Sequence, residues 1–226
     1  MPVRYSFTAQ FVRGAVVFAN KAWDIEAANI GKIAAELEPE YRAYVVSTVF
    51  QCAAALESEI AEITEYGPGH HLGSNGVNLP ARDFLQPLAD VIDGESTLHR
   101  YELVLHVLRL PVLERGTETY RTTSLLVKLR NELIHYKSRW DSAIDRAKLF
   151  ASLRQLRLEK PSFITSDTTF FPNQCLSASL SSWCVLTTIA FITNFYSLLG
   201  VVSPLSPHLE HLVVPAPRFT SKAHDV

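Results

Sequence analysis

One long stretch of this chain, residues 168–209, contains no Asp, Glu, Lys or Arg. Within it, residues 183–202 form a mostly apolar window of the length, roughly 20 residues, that a helix needs to cross a bilayer. Polar side chains interrupt this window, and no flanking cluster of Lys or Arg marks a cytoplasmic end. A buried closing helix of a helical bundle is therefore favoured over a membrane-spanning helix. The interrupting residues are Thr187, Thr188, Thr193, Asn194 and Ser197.

Apolar residues elsewhere recur at steps of three and four, which is the period of a helix that buries one face. No sustained apolar–polar alternation predicts a strand. We therefore predict an all-α protein, a single up-and-down bundle of five to seven helices over residues 1–205, followed by an irregular tail over residues 206–226. Thr117 and Asp141 stand where helix N-caps are expected. The predicted helices are residues 10–37, 41–66, 82–92, 96–110, 119–139, 141–158 and 174–199.

One carboxylate of the second predicted helix, Glu57, lies one residue off its apolar stripe, beside Ala53 and Ile60. If this edge of the stripe is buried, the carboxylate needs a partner, because an unpaired buried charge is costly. Arg130 or another basic residue is the expected partner. A solvent-exposed Glu at the edge of the stripe fits the pattern equally well.

Charge is distributed unevenly along a chain of 226 residues that is 47% hydrophobic and 19% charged. Residues 22–66 carry nine acidic and two basic residues, a net charge of −7, whereas residues 121–160 carry ten basic and four acidic residues, a net charge of +6. A basic region of this kind suits an anionic ligand such as RNA. A solvated helix face, or a surface that pairs with the acidic early helices, explains the same distribution.

The cysteine and histidine content predicts neither disulfides nor a metal site. Three cysteines, an odd number, lie in apolar surroundings, which is typical of reduced buried thiols in the cytosol. The first residues lack the pattern of a signal peptide, so we expect a cytoplasmic protein that does not bind membranes. His70 and His71 are adjacent on a Gly-rich loop and are expected to face solvent, with no cysteine or nearby acid to complete a ligand set. No cofactor-binding motif is present, and we expect no cofactor.

The octet at residues 129–136, Leu-Arg-Asn-Glu-Leu-Ile-His-Tyr, concentrates polar chemistry inside a predicted helix. Asn131 and His135 are four residues apart and share a helix face. Arg130 and His135 are five apart, about 140° around the helix axis. One straight helix cannot easily direct both at one small target, but two copies packed side by side can, so we expect a homodimer through this helix.

An Arg, a polar residue and then a His five positions after the Arg, within an apolar helix, resembles the signature of HEPN domains. Residues 53–60, Ala-Ala-Ala-Leu-Glu-Ser-Glu-Ile, resemble the long early helix of the same group. The resemblance implies an all-α bundle that dimerises around the Arg–His helix and that is either a metal-independent ribonuclease or non-catalytic. HEPN toxins paired with nucleotidyltransferase-like antitoxins commonly carry a Tyr two residues after the His. Here that position is Lys137 and Tyr136 follows His135 directly, which weakens the expectation of an antitoxin partner that modifies this tyrosine.

The octet contains the groups that cleavage of RNA without a metal requires. His135 is predicted to be the general acid or base, since an imidazole exchanges protons near neutral pH. Arg130 is predicted to hold the phosphate and stabilise the charge of the transition state. Asn131 is predicted to orient the imidazole or bond a phosphate oxygen. RNA would be drawn to the site by Lys128, Lys137 and Arg139.

A structural role explains the same residues. Arg130, Asn131 and His135 could hold neighbouring helices together in a non-catalytic interaction or dimerisation module. That alternative predicts that Arg130 and His135 are fully buried and satisfied by their own chain. The ribonuclease interpretation predicts instead that both side chains reach an open basic surface.

Overall fold

The computed structural model describes residues 6–72, 79–136, 148–165 and 168–220 of the chain. Over these residues the protein is mostly helical and its one extended pairing is an isolated β-bridge between Leu158 and Phe219. The all-α prediction is therefore confirmed. The α-helices are α1 Thr8–Ala28, α2 Glu38–Tyr66, α3 Leu79–Leu85, α4 Ala89–Asp93, α5 Thr97–Val107, α6 Glu118–Ile134, α7 Lys148–Gln155, α8 Ala178–Leu199 and α9 Ser206–Leu209.

Helix α1 ends well before the residue that the apolar spacing predicted. It stops at Ala28, so the prediction of a helix to residue 37 was wrong. Asn29 donates its side-chain amide to the carbonyl of Ile25, 2.8 Å away, and Gly31 has a φ of +81°. A left-handed residue terminates a helix, and glycine takes that conformation without strain. The apolar residues beyond this point keep a helical spacing without being helical.

One other predicted helix is shorter at its N-terminus. The closing helix α8 begins at Ala178 rather than at residue 174, after an irregular turn over Phe170–Gln174. Helix α7 covers Lys148–Gln155, and its predicted cap, Asp141, lies outside the described residues. Helix α9 lies within the predicted irregular tail.

The chain divides into two compact units. The described residues of unit 1 come from Met1–Arg13, Gln51–Val127 and Thr187–Leu212. Those of unit 2 come from Gly14–Phe50, Lys128–Leu186 and Val213–Val226. The prediction of a single domain over residues 1–205 stays a prediction.

An aromatic cluster around Tyr101 forms the centre of unit 1. The side chain of Tyr101 is fully buried, and its ring meets those of Phe191 and Phe195 edge to face, with centroid distances of 4.9 and 4.6 Å. Its hydroxyl donates a 2.7 Å hydrogen bond to the carbonyl of Leu56. Edge-to-face packing is the favoured geometry for aromatic pairs, and the hydrogen bond satisfies a buried polar group. Tyr101 thus fastens α5 to α2 and α8.

Unit 2 is built around a buried carboxylate, Glu26 of α1. It accepts hydrogen bonds from the hydroxyl of Tyr41 at 2.6 Å and from the backbone N–H of Ala178 at 3.1 Å. The Ala178 N–H also lies 3.0 Å from the Tyr41 oxygen. A carboxylate is well placed there because the first N–H groups of a helix lack partners within the helix. Glu26 therefore joins α1 and α2 to the start of α8.

Helix α8 is, among the described residues, the one helix long and apolar enough to cross a membrane. Of the residues in its most apolar window, 56% are buried within the protein. The buried residues include Phe191, Ile192 and Phe195, and core helices of globular proteins have the same length and composition. This burial fits the predicted closing helix.

All three cysteines, Cys52, Cys175 and Cys184, are buried and form no disulfide, as the sequence predicted. Burial raises the pKa of the Cys52 and Cys175 thiols to about 12. These thiols are therefore protonated and unreactive in the folded protein.

Candidate functional site

The residues predicted to form the site lie at the C-terminal end of α6. The helix begins where predicted, because Thr117 caps it by accepting a hydrogen bond from the Tyr120 N–H at 3.3 Å. It ends at Ile134, and the backbone N–H of His135 still bonds the carbonyl of Asn131 at 3.0 Å. This i to i+4 bond continues the helical path by one residue, so His135 keeps its place relative to Asn131.

A hydrogen bond within the octet joins two of the three predicted catalytic side chains. The Arg130 guanidinium donates through Nη1 to Oδ1 of Asn131 at 3.0 Å. Asn131 and His135 are exposed and Arg130 is half-buried. The bond places the guanidinium beside Asn131, whereas backbone spacing places Arg130 and His135 about 140° apart around the axis. Full burial, the sign of the structural alternative, is not seen for either Arg130 or His135.

Buried leucines and a short aromatic stack hold this end of α6. Leu126 and Leu129 are fully buried on the inner side of the helix. Directly after His135, the Tyr136 ring lies against Phe171 with centroids 5.6 Å apart, and Phe171 stacks on Phe150 at 4.6 Å. Rigid neighbours of this kind fix where a functional side chain emerges. His135 is thus held between an anchored helix and an anchored aromatic residue.

Only part of the predicted RNA-attracting charge falls within the described residues. Lys128 is exposed on α6, whereas Lys137 and Arg139 lie outside the described residues. Between residues 118 and 136 there are three basic residues and two acidic ones, a net charge of +1. The described part of the site is therefore mildly basic. The basic residues are Arg121, Lys128 and Arg130, and the acidic ones are Glu118 and Glu132.

The adjacent histidines of the Gly-rich loop do not face solvent as predicted. His70 is buried, with Nε2 3.1 Å from the Glu62 carboxylate and Nδ1 3.2 Å from the carbonyl of Gly67. The His71 ring meets His70 and Tyr196 edge to face at centroid distances of 5.6 and 5.5 Å. The turn after α2 brings His70 back onto that helix, where Glu62 is its acidic neighbour. Within the described ranges, no group of three or more His, Cys, Asp or Glu side chains could hold a metal ion.

Two carboxylates that the sequence pattern did not indicate, Glu26 and Glu59, are buried. Glu57, for which the pattern indicated possible burial, is only half-buried. Glu57 accepts a 3.4 Å hydrogen bond from Thr97. Glu26 and Glu59 are buried, and Glu59 accepts a hydrogen bond from the Tyr196 hydroxyl. Desolvation raises the pKa of both buried carboxyls. Their positions could have indicated this burial, because Glu26 and Glu59 lie three residues after the buried Trp23 and Leu56, on the same helix faces.

A groove of about 490 Å³ lies between α5 and the loop that follows it, in unit 1. The carboxylate of Glu102 organises its polar end. Arg115 donates to it twice, at 2.8 and 2.7 Å, and Tyr120 donates at 2.9 Å. These bonds, chiefly those from Arg115, lower the pKa of Glu102 to about 2. The groove is lined by His99, Glu102, Leu103, His106, Val112, Leu113, Glu114 and Arg115.

Replacement of Glu102 by glutamine is expected to remove a stabilisation that depends on pH. The pKa of Glu102 is lowered in the folded state. Its contribution to folding stability is therefore complete above pH 4.5 and is lost as the pH falls through about 2. Arg115 is largely exposed, so solvent screening limits the effect to about 0.5–1 kcal/mol. Urea unfolding of the wild type and Glu102→Gln from pH 7 to pH 2 measures it. A stability difference that stays constant over this range would contradict the assignment.

No protein-family model, no curated protein and no solved structure matches the chain. The resemblance to HEPN domains therefore depends on residues 129–136 and 53–60 alone. Membership of that family stays a prediction, as does the HEPN-like arrangement of the helices.

Proposed function

We propose that the chain is a metal-independent endoribonuclease that acts as a homodimer around α6. The observation that carries the proposal is that Arg130 and Asn131 are hydrogen-bonded at the end of α6 that also carries the exposed His135. A group that binds phosphate and a group that transfers protons would then lie at the same end of α6. The proposal requires a cytoplasmic location, where RNA is accessible.

The chemistry needs two proton transfers. The 2′-hydroxyl of RNA attacks the adjacent phosphorus, a new P–O2′ bond forms and the P–O5′ bond breaks, which leaves a 2′,3′-cyclic phosphate. A base takes the 2′-hydroxyl proton and an acid gives a proton to the departing 5′-oxygen. One His135 from each of two copies supplies both groups. Arg130 offsets the negative charge that gathers on the non-bridging oxygens.

Exposed apolar side chains beside the site support its association with a second copy. Ile134 and Tyr136 flank His135 and are both exposed. Apolar side chains next to a charged site are typical of the edge of an interface. A dimer that covers Ile134 while leaving His135 at the rim would form the cleft in which both histidines act.

The same two apolar side chains favour a second candidate function, a non-catalytic dimerisation module. In that role the Arg130–Asn131 hydrogen bond stiffens the end of α6 rather than preparing a phosphate site. A toxin or defence role with an antitoxin partner would follow from the HEPN resemblance only under the ribonuclease function. Activity and association must therefore be measured separately.

Cleavage of RNA by the purified chain in EDTA tests the ribonuclease function. We expect the wild type to cleave, and His135→Ala and Arg130→Ala to lose about 100-fold or more in rate, as expected when a general acid–base or transition-state partner is removed. His211→Ala, which removes an exposed histidine elsewhere, is the matched control and should cleave normally. Circular dichroism establishes that each variant is folded.

Cleavage by His135→Ala at the wild-type rate would rule out the proposed site. If no RNA is cut and Ile134→Glu converts a dimer into a monomer, the dimerisation role is favoured instead. Size-exclusion chromatography with light scattering makes that measurement.

A further inference from the structure

The helical segment from α3 to α4 leaves large apolar side chains in solvent. One turn, Gln86–Leu88, joins the two helices without a break. Phe84 and Val91 are each 66% exposed, and Leu88 between them is 38% exposed. Their spacings of four and three residues place them on one side of the segment. We call these three residues the Phe84 stripe.

The Phe84 stripe does not anchor the segment to the protein, because other residues do so. Leu85 and Ile92 are almost completely buried on the inner side of the same segment. Removing apolar side chains such as Phe and Val from water is favourable. Three such side chains left in water at a helical spacing match the anchors with which one helix packs on another.

Acidic residues lie beside the Phe84 stripe, and Asp83 and Asp90 share one side of it because each precedes a stripe residue by one position. Residues 79–96 contain four acidic residues and one basic residue, a net charge of −3. Asp83, Asp90 and Glu95 are exposed. Asp93 is paired with Arg100, and the single basic residue, Arg82, is half-buried. The surface is therefore apolar along the stripe and negative beside it.

We infer that the Phe84 stripe binds a basic amphipathic helix of a partner protein. The three anchors lie within eight residues and span about 10 Å along the helix axis. The negative charge beside the stripe selects a partner whose apolar face is bordered by Lys or Arg. RNA and anionic membranes are disfavoured because both carry negative charge. A symmetric contact between two copies is disfavoured because it would place the same acidic residues together.

Fluorescence anisotropy with two labelled peptides tests the inference. One is an 18-residue amphipathic helix of leucine and lysine, and the other has glutamate in place of each lysine. We expect the wild type to bind the lysine peptide and not the glutamate peptide. The double variant Phe84→Ser/Val91→Ser should bind the lysine peptide at least about 10-fold more weakly, because central apolar anchors dominate such contacts.

The charge contribution has its own variant and control. Asp83→Asn/Asp90→Asn should weaken binding and flatten its dependence on salt, since exposed ion pairs are screened. Ile30→Ser/Val213→Ser removes exposed apolar side chains elsewhere and should leave binding unchanged.

Three results would overturn the inference. They are equal binding of the two peptides, unchanged binding by Phe84→Ser/Val91→Ser, and a wild-type dimer that this double variant dissociates. The last would identify a second copy as the occupant.

Discussion

Replacement of Tyr101 by alanine is expected to lower the free energy of unfolding by about 3–5 kcal/mol, the usual cost of removing a fully buried aromatic side chain. The loss has two parts. The ring no longer fills the space against Phe191 and Phe195, which it meets at 4.9 and 4.6 Å. The carbonyl of Leu56 also loses the 2.7 Å hydrogen bond that the Tyr101 hydroxyl donates to it. Urea unfolding followed by circular dichroism measures the change.

Tyr101→Phe separates these two parts. The phenylalanine ring keeps the edge-to-face packing and removes only the hydroxyl, so we expect a loss of about 1–2 kcal/mol. If the two variants are equally unstable, the hydrogen bond rather than the ring dominates, which would contradict the packing argument. If Tyr101→Ala costs less than about 1 kcal/mol, the side chain cannot be in the core as described.

Replacement of Glu26 by alanine is expected to cost about 2–4 kcal/mol, because buried donors lose their acceptor and a cavity forms. The Tyr41 hydroxyl and the Ala178 N–H donate to this carboxylate at 2.6 and 3.1 Å. Glutamine keeps an acceptor oxygen of similar reach, so Glu26→Gln should lose less than about 1 kcal/mol. Thermal and urea unfolding of the two variants beside the wild type make the comparison.

The stability of the wild type relative to Glu26→Gln is also expected to depend on pH, in a direction that the pKa shift of Glu26 determines. Desolvation raises the pKa of Glu26 above its ordinary value of 4.5 in the folded state. The folded protein therefore holds this proton more tightly than the unfolded chain does. The contribution of Glu26 is most favourable below pH 4.5 and falls as the pH rises through the raised folded pKa. The stability of the wild type relative to Glu26→Gln should thus decline from pH 4 to pH 7, and a rise would contradict a desolvated carboxyl.

The helices were predictable from sequence because their apolar period is regular, and Thr117 was predictable because a side-chain cap acts within one turn. The end of α1 was missed because Asn29 and Gly31 stop the helix while apolar residues continue beyond them at helical spacing. The burial of His70 was missed for a different reason. Its partner Glu62 lies eight residues away across a turn whose path the spacing does not reveal.

The candidate site was predictable only at the level of the backbone. Spacing on a helix gives the shared face of Asn131 and His135, because that follows from a rotation of about 100° per residue. It does not give the hydrogen bond from Arg130 to Asn131, which depends on the rotamers of both side chains. The Glu102–Arg115 pair was likewise hidden, because it joins a helix to a loop thirteen residues away.

The buried thiols of Cys52, Cys175 and Cys184 can report when the folded structure opens. A thiol reagent must reach the sulfur atom, and it cannot do so while these side chains are buried. Labelling therefore proceeds only as fast as the surrounding structure opens. Cys52 lies in unit 1, whereas Cys175 and Cys184 lie in unit 2. The order in which the three react consequently records which unit opens first, without any engineered probe.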